Sequence, residues 1–163
     1  MKSAVERSMT DRSAARAGRR LAVETMFESD FGQRTPAAVL DRRIEALPVT
    51  EGAETVARAI VRSVTDHRDH IDTLIGAAAP AFPVVQLGRI DRALLRCALG
   101  EMLHSATPTR VVIAEWVGLA RVYSGEPARR LVNGVLGRIA RETGTDRSDG
   151  RQEGGSAAKA RRR

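Results

Sequence analysis

The stretch GRIDRALLRCALGEMLH, residues 88–104, decides how the rest of the chain is read. Its apolar residues Ile90, Leu94, Leu95, Ala98, Met102 and Leu103 return every three or four positions. That is the period of one face of an α-helix, not the alternation of a half-buried strand. Downstream, Thr107-Pro108 restarts the chain into a second helical pattern carrying Val112, Trp116, Leu119 and Tyr123. Ser124 is placed to cap a last helix with Leu131, Val135, Leu136 and Ile139 on one side. Upstream, a loop with Pro80 and Pro83 follows a long helix that Thr50 caps and Gly76 ends, with the stripe Val56, Ile60, Val64, Ile71 and Leu74 or Ile75. Thr35-Pro36 reads as N-cap and first residue of a short helix through Val39, Leu40, Ile44 and Leu47, stopped by Pro48. The first helix is expected from Asp11 or Ser13 to Phe31, ending at Gly32, with Val23, Phe27 and Phe31 four apart on its apolar side. No segment alternates with period two for long enough to make a strand. The pattern predicts six or seven helices in an all-α bundle, without a solenoid repeat.

A chain of 163 residues with 42% hydrophobic composition fits one domain plus tails. Aromatics are only 3%, so the core must be built from Leu, Ile, Val and Ala. No stretch approaches the roughly 20 apolar residues of a membrane span, and MKSAVERSMTDRS at the N-terminus has no apolar signal region. The single cysteine, Cys97, forms no internal disulfide, and a reducing, cytoplasmic location is the natural reading. The expected organisation is a flexible basic N-terminus over 1–10, a helical domain over 11–143 and a disordered, Gly-rich basic tail over 144–163.

The net charge of +7 lies at the two ends. Residues 1–20 sum to +4 and residues 144–163 to +3, while 21–143 carries 15 charges of each sign. A neutral body with basic arms points to a polyanionic partner, although basic tails also serve solubility alone. Of the 27 basic residues 25 are Arg, whose planar fork grips phosphate and stacks on bases better than lysine does, so nucleic acid is the favoured partner. Arg12, Arg16, Arg19 and Arg20 fall three or four apart and form a basic ridge on the first half of the first helix.

The usual marks of chemistry are missing. The sequence has no phosphate loop, no G-x-G-x-x-G and no C-x-x-C. His67 and His70 stand three apart in DHRDH without a third ligand at matching spacing, which reads as a solvated helix face. His104, near a helix C-terminus, reads as a partly positive imidazole meeting the helix dipole. Cys97, flanked by apolar residues, reads as a small core side chain. Ser124-Gly125-Glu126 has no neighbouring histidine, so capping explains the serine. Within the last helix, Gly134 costs on the order of 1 kcal/mol against Ala. That suggests a close backbone approach, and Asn133 is expected to make a buried or half-buried hydrogen bond. The reading is no enzyme, no catalytic residue, no cofactor and no metal.

Four segments, in order, carry a resemblance. RAGRRLAVETMF (16–27) is similar to a block A-R-x-x-A-x-Q-A-L-Y, and GRIDRALLR (88–96) to R-I-D-R-A-I-L-R. VVIAE (111–115), continuing through Leu119-Ala120-Arg121, is similar to V-V-I-N-E-A-V-E-L-A-K, and LVNGVL (131–136) to F-V-N-G-V-L-D. Together they cover about residues 12–142, and the chain resembles the NusB family of bacterial transcription antitermination factors. The resemblance implies a bundle of two packed helical subdomains. It also implies pairing with NusE, which is a small-subunit ribosomal protein, and joint binding of boxA-type single-stranded RNA, notably in ribosomal RNA leaders. The pair then acts within an RNA polymerase complex that resists termination. It places Arg12, Arg16, Arg19, Arg20, Phe27 and Leu131 at family positions near RNA. It places Asp91, Glu126 and Pro127 at positions facing the partner. A homodimer is left open.

The chain departs from the family blocks at Pro127, where an acidic residue is usual, and at Leu131, where a Phe is. It departs also at Gly100, Ala114, Trp116 and Gly118. Two other readings stand beside the first. One is a family-fold scaffold without boxA recognition. The other is an RNA-recruiting subunit for a separate RNA methyltransferase, since the chain is too short to hold a nucleotide-binding catalytic domain as well.

Overall fold

The chain becomes helical at Ala4, well before Asp11, because residues 3–6 form a capping box. The Ser3 hydroxyl accepts from the Glu6 N–H at 3.1 Å, and the Glu6 carboxylate accepts from the Ser3 N–H at 2.6 Å. Two of the donors that a helix start leaves unpaired are thereby satisfied. Residues 4–10, expected to be flexible, therefore extend the first helix. In the computed structural model, which describes residues 1–145, the helices are α1 (Ala4–Ser29), α2 (Pro36–Ala46), α3 (Glu51–Ala78), α4 (Arg89–His104), α5 (Thr109–Ser124) and α6 (Glu126–Thr143). A 3₁₀ turn, Val84–Gln86, lies in the loop before α4. There is no strand among the described residues. Most of the tail expected to be disordered, 146–163, lies outside them.

The element ends follow local chemistry. Thr35 and Thr50 cap α2 and α3 through their hydroxyls, as read from the sequence. α1 stops at Ser29, and Gly32, at φ 79°, turns the chain in the left-handed region that glycine tolerates. α3 runs past Gly76 to Ala78 and changes direction at His67, whose φ of −122° and ψ of 20° are non-helical. Ser124 is not a cap. It is the last residue of α5, and Gly125, at φ 96°, closes α5 and opens α6 without a side-chain bond.

Helices α1, α2 and α3 make one subdomain and α4, α5 and α6 the other, with α4 packed on both α1 and α3. The core runs through both and is aliphatic apart from Trp116, which is fully buried with Leu94, Leu95, Leu99, Ile71 and Leu136. Burying each such Leu or Ile stabilises by roughly 1.5–3 kcal/mol. Helices α1 and α3 meet at Gly18, where a Cβ would stand 2.6 Å from Val56 Cβ. Cys97 is buried, and burial pushes its thiol far above the ordinary range, as expected of an inert core residue.

Two readings of α6 are corrected. Asn133 is exposed, with no side-chain hydrogen bond among the described residues. Gly134 has open space where a Cβ would be, so no backbone approaches it. His104 is also corrected. Its ring stacks on His67 at 3.8 Å between centroids and 14° between planes. Burial, then the charges of His67 and His70, lower its pKa, so the positive form is disfavoured rather than drawn to the helix end.

Candidate nucleic-acid interface

The basic ridge of α1 is three arginines, not four. Arg12, Arg16 and Arg20 are exposed. Arg19 points inward, is 5% exposed and forms a bidentate pair with Glu101 of α4, at 2.9 Å from Nε to Oε2 and 2.7 Å from the terminal nitrogen to Oε1. Glu101, itself buried, also accepts from Trp116 Nε1 of α5 at 2.6 Å. Arg19 is thus excluded from the surface by a charge-assisted cluster that ties α1, α4 and α5 together. Ala22 follows Arg19 by three residues and Met26 follows Ala22 by four, so the buried side of α1 passes through all three.

The outward arginines differ in what holds them. Arg12 touches only the Ser8 hydroxyl, at 3.0 Å. Arg20 makes no ion pair among the described residues. Arg16 faces both carboxylate oxygens of Glu115 on α5, each 3.3 Å from Nε. Two depressions flank the ridge. One, of about 810 Å³, lies between α1 and the α2–α3 linker and has Met9, Leu47, Pro48 and Val49 beside the three arginines. The other, of about 440 Å³, lies against α5, where Gly118, Leu119 and Val122 adjoin Arg16 and Arg20. A cationic line with partly apolar depressions on either side, one also lined by Glu24 and the other by Glu115, can take phosphates along the line and unpaired bases on their apolar floors.

Further along α1, Glu24 accepts from the Tyr123 hydroxyl at 2.7 Å and pairs with Arg43 at 3.3 Å. Burial and the bond to Glu24 push the Tyr123 hydroxyl far above its ordinary pKa, so it stays a donor. Phe27 is half-buried, its ring edge-on to Phe31 at 5.4 Å. Phe31, expected in the core stripe, is instead 51% exposed, with the Arg89 guanidinium 4.2 Å above its ring centre. Leu131 is half-buried against the core.

The residues expected to face a partner lie on separate elements. Asp91 is half-buried in the first turn of α4, where the helix dipole favours a carboxylate, and its Oδ1 is buried with no hydrogen-bond partner. Glu126 and Pro127 are exposed at the start of α6. A hydrogen bond from Arg129 at 2.8 Å, with the charges of Arg129 and Arg121, holds the Glu126 carboxyl below its ordinary range. No group of three or more His, Cys, Asp or Glu among the described residues is arranged to hold a metal, and no helix among them is long and apolar enough to cross a membrane.

A family model described as the NusB family matches residues 16–141. The chain belongs to the NusB family. Transcription antitermination protein NusB of Heliobacterium modesticaldum is 36% identical over 146 residues, covering 88% of this chain and 71% of that protein. Among solved structures, T. maritima NusB superposes with a TM-score of 0.71 at 29% identity, covering 78% of this chain and 91% of that one. A crystal structure of antitermination factors NusB and NusE in complex with dsRNA gives 0.69 at 27% identity, covering 82% and 98%. The two-subdomain all-α fold expected from the sequence is the NusB fold. Glu115, Glu101, Trp116, Phe31 and Arg89 were not singled out as site residues in the sequence. The one available signal was position: Arg19 and Glu101 each fall on the apolar side of a helix, where a charge needs a buried partner.

Proposed function

We propose that this chain is an RNA-binding transcription antitermination factor, without catalytic activity, that binds boxA-type single-stranded RNA together with NusE. Within an RNA polymerase complex in the cytoplasm, it acts to suppress termination, notably in ribosomal RNA transcription. The observation that carries this reading is the line of Arg12, Arg16 and Arg20 along one side of α1, flanked by two depressions with partly apolar floors. Arginine forks bind phosphates, and the floors accept bases that a single strand leaves unstacked. Phe27 and Leu131 are further candidates for base contact, Phe27 by its ring and Leu131 by apolar contact alone. Asp91, Glu126 and Pro127 are candidates for the NusE contact, consistent with the partly unsatisfied carboxylate of Asp91. Membership of a family whose relatives are named antitermination proteins, and likeness to a NusB bound with NusE and RNA, support the same reading.

A second reading, a NusB-fold scaffold without boxA specificity, is favoured by the α6 start. There Pro127 offers no side-chain acceptor and Glu126 is already engaged by Arg129. One experiment separates them. Binding of the purified chain to a boxA-type RNA and a scrambled RNA is measured with and without NusE. Tighter and sequence-selective binding with NusE is the expected result. Equal binding to both RNAs, unchanged by NusE, overturns the antitermination reading in favour of the scaffold.

A further inference from the structure

The ridge on α1 points along a line that continues past Arg20. At 100° per residue, Phe27 returns to within about 20° of the direction of Arg20, roughly 10 Å further along the axis, and Phe31 follows two residues past the end of α1 with its ring against that of Phe27. The chain has only three Phe, one Tyr and one Trp. Trp116 is fully buried, Tyr123 is engaged by Glu24 and Phe27 is half-buried, whereas Phe31 and Phe82 are each about half in solvent, and of these two only Phe31 has a ring or cation contact among the described residues. The Phe31 ring has Phe27 edge-on against it and the guanidinium carbon of Arg89, on α4, 4.2 Å from its centre. Arg89 is exposed and makes no ion pair among the described residues, and the same holds for Arg34. Beside the Phe31 ring is a depression of about 400 Å³, also lined by Gln33, Arg34 and Arg42. Arg42 is neutralised by Glu28, so Arg34 and Arg89 are the uncompensated charges there.

We propose that Phe31, Arg89 and the adjoining depression form a stacking station for one unpaired RNA base, at the far end of a track that begins at Arg12. The proposal rests on the RNA-binding reading above. An exposed aromatic ring with a guanidinium group over it offers a positively charged surface that a base face can join. Gln33 carries both a donor and an acceptor for a base edge, and Arg34 can meet the adjoining phosphate. A protein hot spot is the other chemistry that an exposed Phe and Arg serve. The contact with Phe27, which lies in line with the ridge on α1, and two uncompensated guanidinium groups favour RNA. Asp91, two residues beyond Arg89, is turned about 200° away on an ideal helix, so the station and that acidic position do not share a side.

The test uses the full chain with a short RNA that covers only the ridge and longer RNAs extended at either end, each carrying 2-aminopurine at successive positions. Phe31→Ala and Arg89→Ala should each weaken one extended RNA at least about fivefold, the low end of a base–aromatic stacking contact, and leave the short RNA within about twofold. One 2-aminopurine position should be quenched by the unaltered chain and recover in Phe31→Ala. Arg89→Lys, which keeps the charge and loses the plane, should recover only part of the affinity. Circular dichroism confirms that the variants fold. Equal losses on short and extended RNA, or none on either, overturn the station. So does loss of NusE binding with RNA affinity intact, which makes the patch a protein contact. Arg20→Ala separates the two levels. If it leaves RNA binding unchanged the ridge reading fails and the station with it, whereas an effect of Arg20→Ala beside a silent Phe31→Ala removes the station alone.

Discussion

Glu115 holds Arg16 at 3.3 Å through both carboxylate oxygens, so the central arginine of the ridge already has an anion in place. The same carboxylate lies 3.9 Å from buried Arg19, which keeps it from swinging away. An RNA phosphate competes with Glu115 for Arg16, whose side chain is 65% exposed. Glu115→Gln is therefore expected to tighten RNA binding by about threefold to tenfold. It should also steepen the salt dependence by up to about 0.7 in log K against log salt, the release of one further counterion from a single strand. In an Arg16→Ala background the gain should vanish. A gain of equal size there would mean that Glu115 acts only as a distant charge. Fluorescence anisotropy at several salt concentrations decides between these.

The buried partner of this arrangement sets stability rather than binding. Removing Arg19 leaves the Glu101 carboxylate 4% exposed with Trp116 Nε1 as its remaining donor. Arg19→Met is expected to cost about 3–5 kcal/mol, as an unpaired buried charge does. Trp116→Phe should cost less, roughly 1.5–3 kcal/mol for a hydrogen bond to a charged acceptor plus some packing. Arg19→Met combined with Glu101→Leu should recover much of the first loss, because no charge is left to satisfy. Urea denaturation with a constant m-value reads each figure, and a double variant no more stable than Arg19→Met counts against the account.

Acid should weaken the fold at the two-histidine stack. His104 is held below its ordinary value by burial first and then by His67 and His70. The unfolded chain therefore takes up this proton at higher pH than the folded chain does. The stabilisation is complete above about pH 6.5, the ordinary histidine value, and erodes as pH falls below it toward the lowered folded value. The same stack abuts the bend of α3 at His67. Thermal melts at pH 7.5 and 5.5 should show a smaller drop for His104→Gln than for the unaltered chain. Identical drops would place the acid sensitivity elsewhere.

How far the sequence could be read follows from which forces are local. Threonine caps, proline starts and helical periods are local, and Thr35-Pro36, Thr50 and the 88–104 stripe all fall where they were expected. The capping box at 3–6 is local too, and because it lies ahead of the first apolar stripe it starts α1 seven residues before Asp11. Spacing groups Arg12, Arg16, Arg19 and Arg20 on one side of α1, and burial removes Arg19 from that group. Arg12 and Arg19 are seven residues apart and share nearly one direction on α1, so direction alone does not separate them; Arg19 lies where the buried run of α1 begins, next to Gly18, Leu21 and Ala22. Only Glu101 and Trp116, brought in from α4 and α5, draw Arg19 inward. Phe31 fails for the same reason in reverse, since its stripe continues beyond the last residue that another helix covers. His104 and His67, far apart in sequence, meet only because α3 and α4 pack together.

Two glycines with opposite surroundings give a final test of what the packing requires. At Gly18 a Cβ would lie 2.6 Å from Val56 Cβ and 2.7 Å from the Ala53 carbonyl oxygen, and the second is backbone that cannot step aside without moving α3. Gly18→Ala should then destabilise by about 1–3 kcal/mol, the range for overpacking a filled core, against a helix-propensity gain of only about 1 kcal/mol. At Gly134, in the middle of α6, nothing lies within 4 Å of the same atom. Gly134→Ala should stabilise by about 0.5–1 kcal/mol, through reduced freedom of the unfolded chain and better helix propensity. The open side of Gly134 adjoins exposed Asn133, so the substitution also probes whether that surface meets NusE or RNA. A more stable Gly134→Ala chain with unchanged binding makes the glycine dispensable. A more stable chain that binds NusE or RNA several-fold less tightly would show that the missing Cβ is kept for a partner, since no atom of the chain itself needs the space. Loss of stability in Gly134→Ala, or none in Gly18→Ala, would contradict the positions of α6 and of the α1–α3 contact described above.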